Sequence, residues 1–224
     1  MRYNARLVRP VSAPDIEDGT VVVDGARIVY VGPRASAPPG LDVDLGDVVL
    51  APGFVNTHTH LDLTALRGRF DGLSFFEWIR ALTAARAALF ADELLESSRA
   101  GIREGLLAGI TTYADTAPND APFEAMRAMG VRGIAYREVF GPDPAQRERS
   151  MEGLRAAIER TRSRESPLVR VGVSPHAAYS VSDELFTAVA QFAKRDGLPL
   201  ATHVAESIEE SSFVATGGGA FASF

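Results

Sequence analysis

Histidine is scarce in this chain, occurring only at His58, His60, His176 and His203. Two of the four lie in the stretch Pro52-Gly53-Phe54-Val55-Asn56-Thr57-His58-Thr59-His60-Leu61-Asp62. The apolar run Val48-Val49-Leu50-Ala51 leads into a Pro-Gly turn, and Phe54-Val55 begins a buried strand. In a strand, residues i and i+2 point to the same side, so His58 and His60 present two imidazoles together. Two such imidazoles are half of a zinc-type site. His203 can supply a third nitrogen from another strand end, and three protein ligands plus a water is the usual catalytic zinc arrangement. A metal held there would lower the pKa of that water and make hydroxide available near neutral pH. Alone, His203 reads as a core or surface histidine, but it opens His203-Val204-Ala205-Glu206-Ser207. A carboxylate at Glu206 can take a proton from the water and pass it to a leaving group. The competing reading makes Glu206 an acid at a helix N-terminus, a place that Glu209 and Glu210 also suit.

His176, in Ser174-Pro175-His176-Ala177-Ala178-Tyr179-Ser180, is either a ligand or a substrate contact. Two-metal hydrolases of barrel type commonly bridge their ions with a carboxylated lysine. The only lysine here is Lys194, far from any expected strand end. A single divalent ion is therefore expected, with His176 touching substrate. Zinc is the first choice and iron or manganese the alternatives, since imidazole suits all three.

These residues need a scaffold that brings strand ends together. Residues 1–51 read as a small β module, including a hairpin over residues 20–31 with Asp24-Gly25 as its two-residue turn. From residue 52 the pattern changes to strand and helix in alternation. Expected strands are Gly53–His58, Gly109–Thr116, Val131–Phe140, Leu168–Pro175 and Leu198–Thr202, with helices near Trp78 and over Ala91–Leu107, Ala121–Met129 and Pro144–Arg162. Ser182-Asp183-Glu184 opens a further helix. Such alternation argues for a parallel sheet. All four histidines then fall at carboxyl ends of strands, which is the catalytic face of a β/α barrel and the ligand-binding edge of open parallel sheets. On the helix near residue 78, Phe76 and Trp78 have spacing that suits a core, while Trp78 is also a candidate substrate contact. Glu138 ends a strand and is placed either to meet a ribose or base or to pair within the neighbourhood of Arg137.

Composition narrows the field. The chain has 224 residues, 46% hydrophobic content, a net charge of −6 and no cysteine. The negative balance implies no face for nucleic acid. The lack of cysteine excludes disulfides, thiol nucleophiles and the deaminases whose zinc sits on Cys ligands. No run reaches the about 18 apolar residues of a membrane span, and no apolar h-region follows the N-terminus. A cytoplasmic protein with no membrane partner is expected, with a homodimer as one assembly.

Taken in order, the Pro52–Asp62 stretch, Gly109-Ile110-Thr111-Thr112, Ser174–Ser180 and His203–Ser207 resemble the amidohydrolase superfamily. The similar branch contains cytosine deaminase, S-adenosylhomocysteine/methylthioadenosine deaminase and triazine chlorohydrolase. Leu61-Asp62, Phe76-Glu77-Trp78-Ile79 and Tyr136-Arg137-Glu138-Val139-Phe140-Gly141 are most similar to aminodeoxyfutalosine deaminases. The resemblance implies an α/β fold, a metal-dependent (β/α)8 (TIM) barrel with a small β-sandwich built from both chain ends. It implies His58, His60 and His203 as metal ligands, Glu206 as proton shuttle, and His176 as a substrate contact. The implied reaction is hydrolytic deamination of an aminopurine nucleoside-like small molecule. Guanine, cytosine or a triazine are the alternative N-heterocyclic substrates, and an inactive metal-binding fragment is a further reading. An open flavodoxin-like sheet ranks last, because no Gly-x-Gly-x-x-Gly loop follows the first strand.

A barrel takes about 250 residues, and only five strands are expected after Pro52. The family's sixth-strand histidine and eighth-strand aspartate have no counterpart after His203. The expectation is therefore an N-terminal part of a longer enzyme, divided into a sandwich segment at 1–51 and a barrel segment at 52–224. Open strand edges and uncovered apolar surface would make it poorly stable alone, and the missing acidic ligand would leave it with little or no activity.

Overall fold

Strand and helix periodicities map onto two separate units in the computed structural model, which describes residues 1–223. The units are Met1–Gly53 and Phe54–Phe224. In the first, strands β1 (Arg2–Val8), β2 (Ile16–Asp24) and β3 (Arg27–Pro33) pair antiparallel, and the short β4 (Asp42–Asp44) and β5 (Val49–Leu50) lie parallel to β1. Ala5, Val8 and Val22 are buried there with one polar pair, the Thr20 hydroxyl donating to Asn4 Oδ1 at 2.6 Å. The hairpin turn falls one residue later than expected, since Asp24 pairs with Arg27 and leaves Gly25-Ala26 at the tip. A bulge displaces the register between Val22 and Val23, which shifts the turn, and Gly25 takes the left-handed φ of 55°.

The second unit is a parallel sheet in the order β6 (Phe54–Thr59), β7 (Ile110–Ala117), β8 (Arg132–Val139), β9 (Val169–Pro175). The intervening helices are α1 (Phe75–Ala87), α2 (Ala91–Leu107), α3 (Ala121–Met129) and α4 (Arg147–Arg162), followed by α5 (Asp183–Asp196) and α6 (Ile208–Thr216). α2 and α3 match the expected spans, and α4 is preceded by a 3₁₀ turn at Pro144–Gln146. Gly130 closes α3 in the left-handed region, where a side chain would be strained. In the main core cluster Ile102, Phe123, Met126, Met151, Leu154 and Leu185 from the helical side pack against Tyr113, Val171 and Val173 of the sheet.

The fifth expected strand is not a regular one. Residues 198–202 run beside β9 but join it only through isolated bridges, Val173 to Leu200 and Ala177 to His203. Pro175 and Pro199 have no N–H to donate, so the ladder cannot continue. Single bonds such as Ala201 N–H to Val173 O, 3.1 Å, keep the segment in place. β6 is paired on one side only among the described residues, and its Phe54 and Val55 are exposed.

Candidate metal centre and substrate cavity

The carboxyl end of β6 and the segment ending at His203 bring three imidazoles together, those of His58, His60 and His203. The rings of His58 and His60 are 5.0 Å apart between centroids, and those of His58 and His203 are 4.8 Å apart. One nitrogen from each of the three lies within 4.8 Å of the others. The tautomers follow from the partners. His60 Nδ1 is 2.8 Å from Thr116 O, and His203 Nδ1 is 3.0 Å from His176 O. A carbonyl only accepts, so both Nδ1 atoms carry the proton. With both rings neutral, that leaves His60 Nε2 and His203 Nε2 facing each other at 3.2 Å as two lone pairs.

Facing lone pairs repel, and a cation between them removes the conflict. Two nitrogens bound tetrahedrally to zinc at its usual bond length lie about 3.3 Å apart. The donor set, its spacing and its carbonyl-locked tautomers therefore fit a divalent ion. Burial, together with the neighbouring imidazoles, pushes His60 down to about 3. Burial also lowers His58. Neutral imidazole is the form that binds metal.

His176 stands beside this cluster. Its ring is 4.8 Å from that of His203, and its Nδ1 meets Ser180 Oγ at 2.7 Å. Burial, with His203 adding, pushes it down to about 3. Glu138, His176 and His203 also form a close group of potential ligands. With His203 Nδ1 committed to a carbonyl, a single lone pair is left for either group. The two groups therefore cannot each hold an ion through His203 at the same time.

Glu206 follows Ala205, whose left-handed φ of 60° turns the chain out of the strand direction. The Tyr179 hydroxyl donates to Glu206 Oε2 at 2.9 Å. Ser207 is the N-cap of α6 and Glu209 and Glu210 occupy its first turn. Glu206 thus lies before the helix, and the helix-dipole role falls to the later acids.

A cavity of about 270 Å³ adjoins the cluster, lined by His60, His176, His203, Glu206 and Glu138 on one side and by α1 on the other. α1 contributes Trp78, Ile79, Leu82, Thr83 and Arg86. Trp78 is on the cavity wall, whereas Phe76 packs in a satellite cluster around Tyr179 and Phe221. Glu138 is buried to 1% side-chain exposure and lies 3.9 Å from Arg86 Nη1. Neither of its oxygens has a hydrogen-bond partner among the described residues. Burial, with Asp62 and Glu206 adding, pushes Glu138 up to about 8, against the pull of Arg86. Arg137 pairs with Asp120 at 3.1 Å, not with Glu138.

Several residues at the site had no role assigned from sequence. Arg86 lines the cavity, and its guanidinium makes no hydrogen bond to another described residue. Asp62 and Asp115 are fully buried beside the His60 turn. Burial raises Asp62 and holds Asp115 well above the usual carboxylate range. The available signal was Asp115 itself, the one charged residue in the otherwise uncharged run Ile110–Ala117.

Fold and site together define a class: a (β/α)-barrel-type domain with its polar cluster on the face formed by the carboxyl ends of the strands. Within that class the chain belongs to the amidohydrolase family, whose profile matches residues 49–222. It is 33% identical over 200 residues to a 5-methylthioadenosine/S-adenosylhomocysteine deaminase of Symbiobacterium thermophilum, covering 87% of this chain and 46% of that protein. It is also 33% identical over 215 residues to an aminodeoxyfutalosine deaminase of Deinococcus radiodurans, covering 90% and 48%. A solved adenosine deaminase from Xanthomonas campestris with bound zinc superposes with a TM-score of 0.79 at 26% identity, covering 99% of this chain and 53% of that one. The chain therefore spans about half the length of the curated relatives it matches. No helix among the described residues is long and apolar enough to cross a membrane.

Proposed function

We propose that the chain carries the metal-binding and proton-transfer half of a hydrolase that deaminates an adenine-type nucleoside, aminodeoxyfutalosine or adenosine-like. The observation that carries this reading is the pair of facing Nε2 atoms of His60 and His203, 3.2 Å apart, with both Nδ1 atoms held by carbonyls. His58, His60 and His203 would hold one divalent ion, with zinc favoured by the zinc-bound relative. The chemistry such an ion would supply there is a water acidic enough to be hydroxide near neutral pH. Glu206, oriented by Tyr179, takes the water proton and delivers it to the departing amine. The balance is water in and ammonia out, with a carbonyl replacing the amino group on the ring. His176 and Glu138 face the substrate from the strand ends, and Trp78 offers an aromatic face from α1. Residues 1–51 are read as a β-sandwich segment and 52–224 as the barrel segment, and the partner is a small molecule.

The test is ammonia release from adenosine, methylthioadenosine, S-adenosylhomocysteine and aminodeoxyfutalosine. It is run on this chain and on a version extended to the length of the relatives, each with a Glu206→Gln control. Release that needs Glu206 supports the reading. Zinc bound by both proteins with no release from any of these nucleosides would overturn it.

A further inference from the structure

The end of β6 is held in an unusual way. The β6–β7 register breaks between Asn56 and Thr59, the stretch that carries His58. The ladder is interrupted there and resumes only with Thr59 opposite Asp115, the last pair before the His60 turn. Past the break, the Leu61 N–H, next to His60, finds no backbone carbonyl. It donates instead to Asp115 Oδ2 at 2.7 Å. Asp115 is fully buried, and its Oδ1 has no partner among the described residues. The next residue, Thr116, receives the His60 Nδ1 proton on its carbonyl. Two successive residues of β7 therefore grip one turn, by the backbone just after His60 and by the ring itself. A buried carboxyl is a costly way to satisfy one N–H. Its place directly behind His60 gives that cost a purpose.

We propose that Asp115 is a positioning residue for the metal centre, fixing His60 through the Leu61 N–H so that its Nε2 is preset opposite that of His203. The proposal rests on the reading of the imidazole cluster as a metal site. Asp115 touches neither metal nor substrate. Loss of such outer support typically costs about 10–100-fold in metal affinity.

The experiment uses cobalt(II) as a probe, read by its visible d–d spectrum and by competition with a chromophoric chelator. It compares the wild-type chain, Asp115→Ala and Asp115→Asn, with melts of the metal-free proteins as a folding control. Asparagine keeps an acceptor oxygen for the Leu61 N–H, and alanine does not. Asp115→Ala is expected to bind cobalt about 10–100-fold more weakly with an altered band shape, and Asp115→Asn to stay nearer wild type in both. Wild-type affinity and spectrum in Asp115→Ala would overturn the proposal while leaving the metal reading intact. So would an asparagine variant as impaired as alanine. No cobalt bound by the wild type would overturn both. Should the alanine variant fail to fold, hydrogen exchange at the Leu61 amide of the metal-free wild type decides the matter. Slow exchange is expected, and exchange as fast as at an exposed loop amide would refute a preset turn.

Discussion

The cavity has two walls of different construction. The strand-end wall carries His60, His176 and His203, and each ring has a hydrogen bond on Nδ1. Behind it lies the main core, with Ile102, Met126, Val173 and Leu185 fully buried. The helix wall, α1, has Leu82 as its only buried residue. It is tied down through Phe75, Phe76 and Ile79 to a small aromatic cluster with Tyr179 and Phe221. On the proposed reading, the chemistry rests on the stiff wall, where a small displacement would spoil metal geometry. The same reading gives shape recognition to the wall with fewer constraints, which local opening can adjust at lower free energy.

Substitutions on the two walls should separate these roles. The largest effect belongs to the strand ends: His203→Ala removes a ligand and should weaken zinc binding by more than the about 100-fold that an outer-shell loss reaches, measured by chelator competition. On the helix wall, Arg86→Met should leave zinc affinity unchanged but weaken nucleoside binding about tenfold, the worth of a hydrogen bond to a charged group. Trp78, the only tryptophan, lines the same cavity and reports binding by fluorescence. Equal effects of both variants on zinc would erase the distinction.

The pH dependence of the metal-free protein sharpens it further. His176 is held near about 3 when folded, against 6.5 ordinarily. Its stabilising contribution is complete above pH 6.5 and is lost as pH falls toward about 3. Glu138 has the opposite sign. It is raised from 4.5 to about 8, so its contribution is present below pH 4.5 and lost as pH rises through about 8. His176→Gln should therefore flatten the acid limb of Tm against pH, and Glu138→Gln the alkaline limb. Unchanged limbs would contradict these environments.

The smallest effect concerns helix caps of about 1 kcal/mol each. Ser182 caps α5, which packs on the core, and Ser74 caps α1 with a reciprocal bond from Glu77. Ser182→Ala should lower the global Tm, while Ser74→Ala should mainly speed hydrogen exchange in α1.

Much of the strand-end wall was legible in the sequence. The spacing of His58 and His60 works through strand alternation, and the placement of His176 and His203 follows from where apolar runs stop. α2 and α3 were legible because their apolar periodicity is clear and, for α3, Gly130 closes the helix. The segment before His203 read as a strand from its apolar residues, but two prolines limit it to bridges. Arg86 and Asp115 were not legible as site residues. An arginine late in an amphipathic helix usually faces solvent, and one acid in a strand gives no hint of its partner. Both acquire roles only through contacts distant in sequence, Arg86 with Glu138 and Asp115 with Leu61.

On the proposed reading, the imidazoles of His58, His60 and His203 hold one divalent ion. The most direct test is titration of the metal-free chain with zinc, reading stoichiometry by elemental analysis after gel filtration, with His58→Ala alongside. The account requires one zinc per wild-type chain and loss of that zinc in His58→Ala. A wild-type chain that retains no zinc, or a variant that retains as much as wild type, would contradict it.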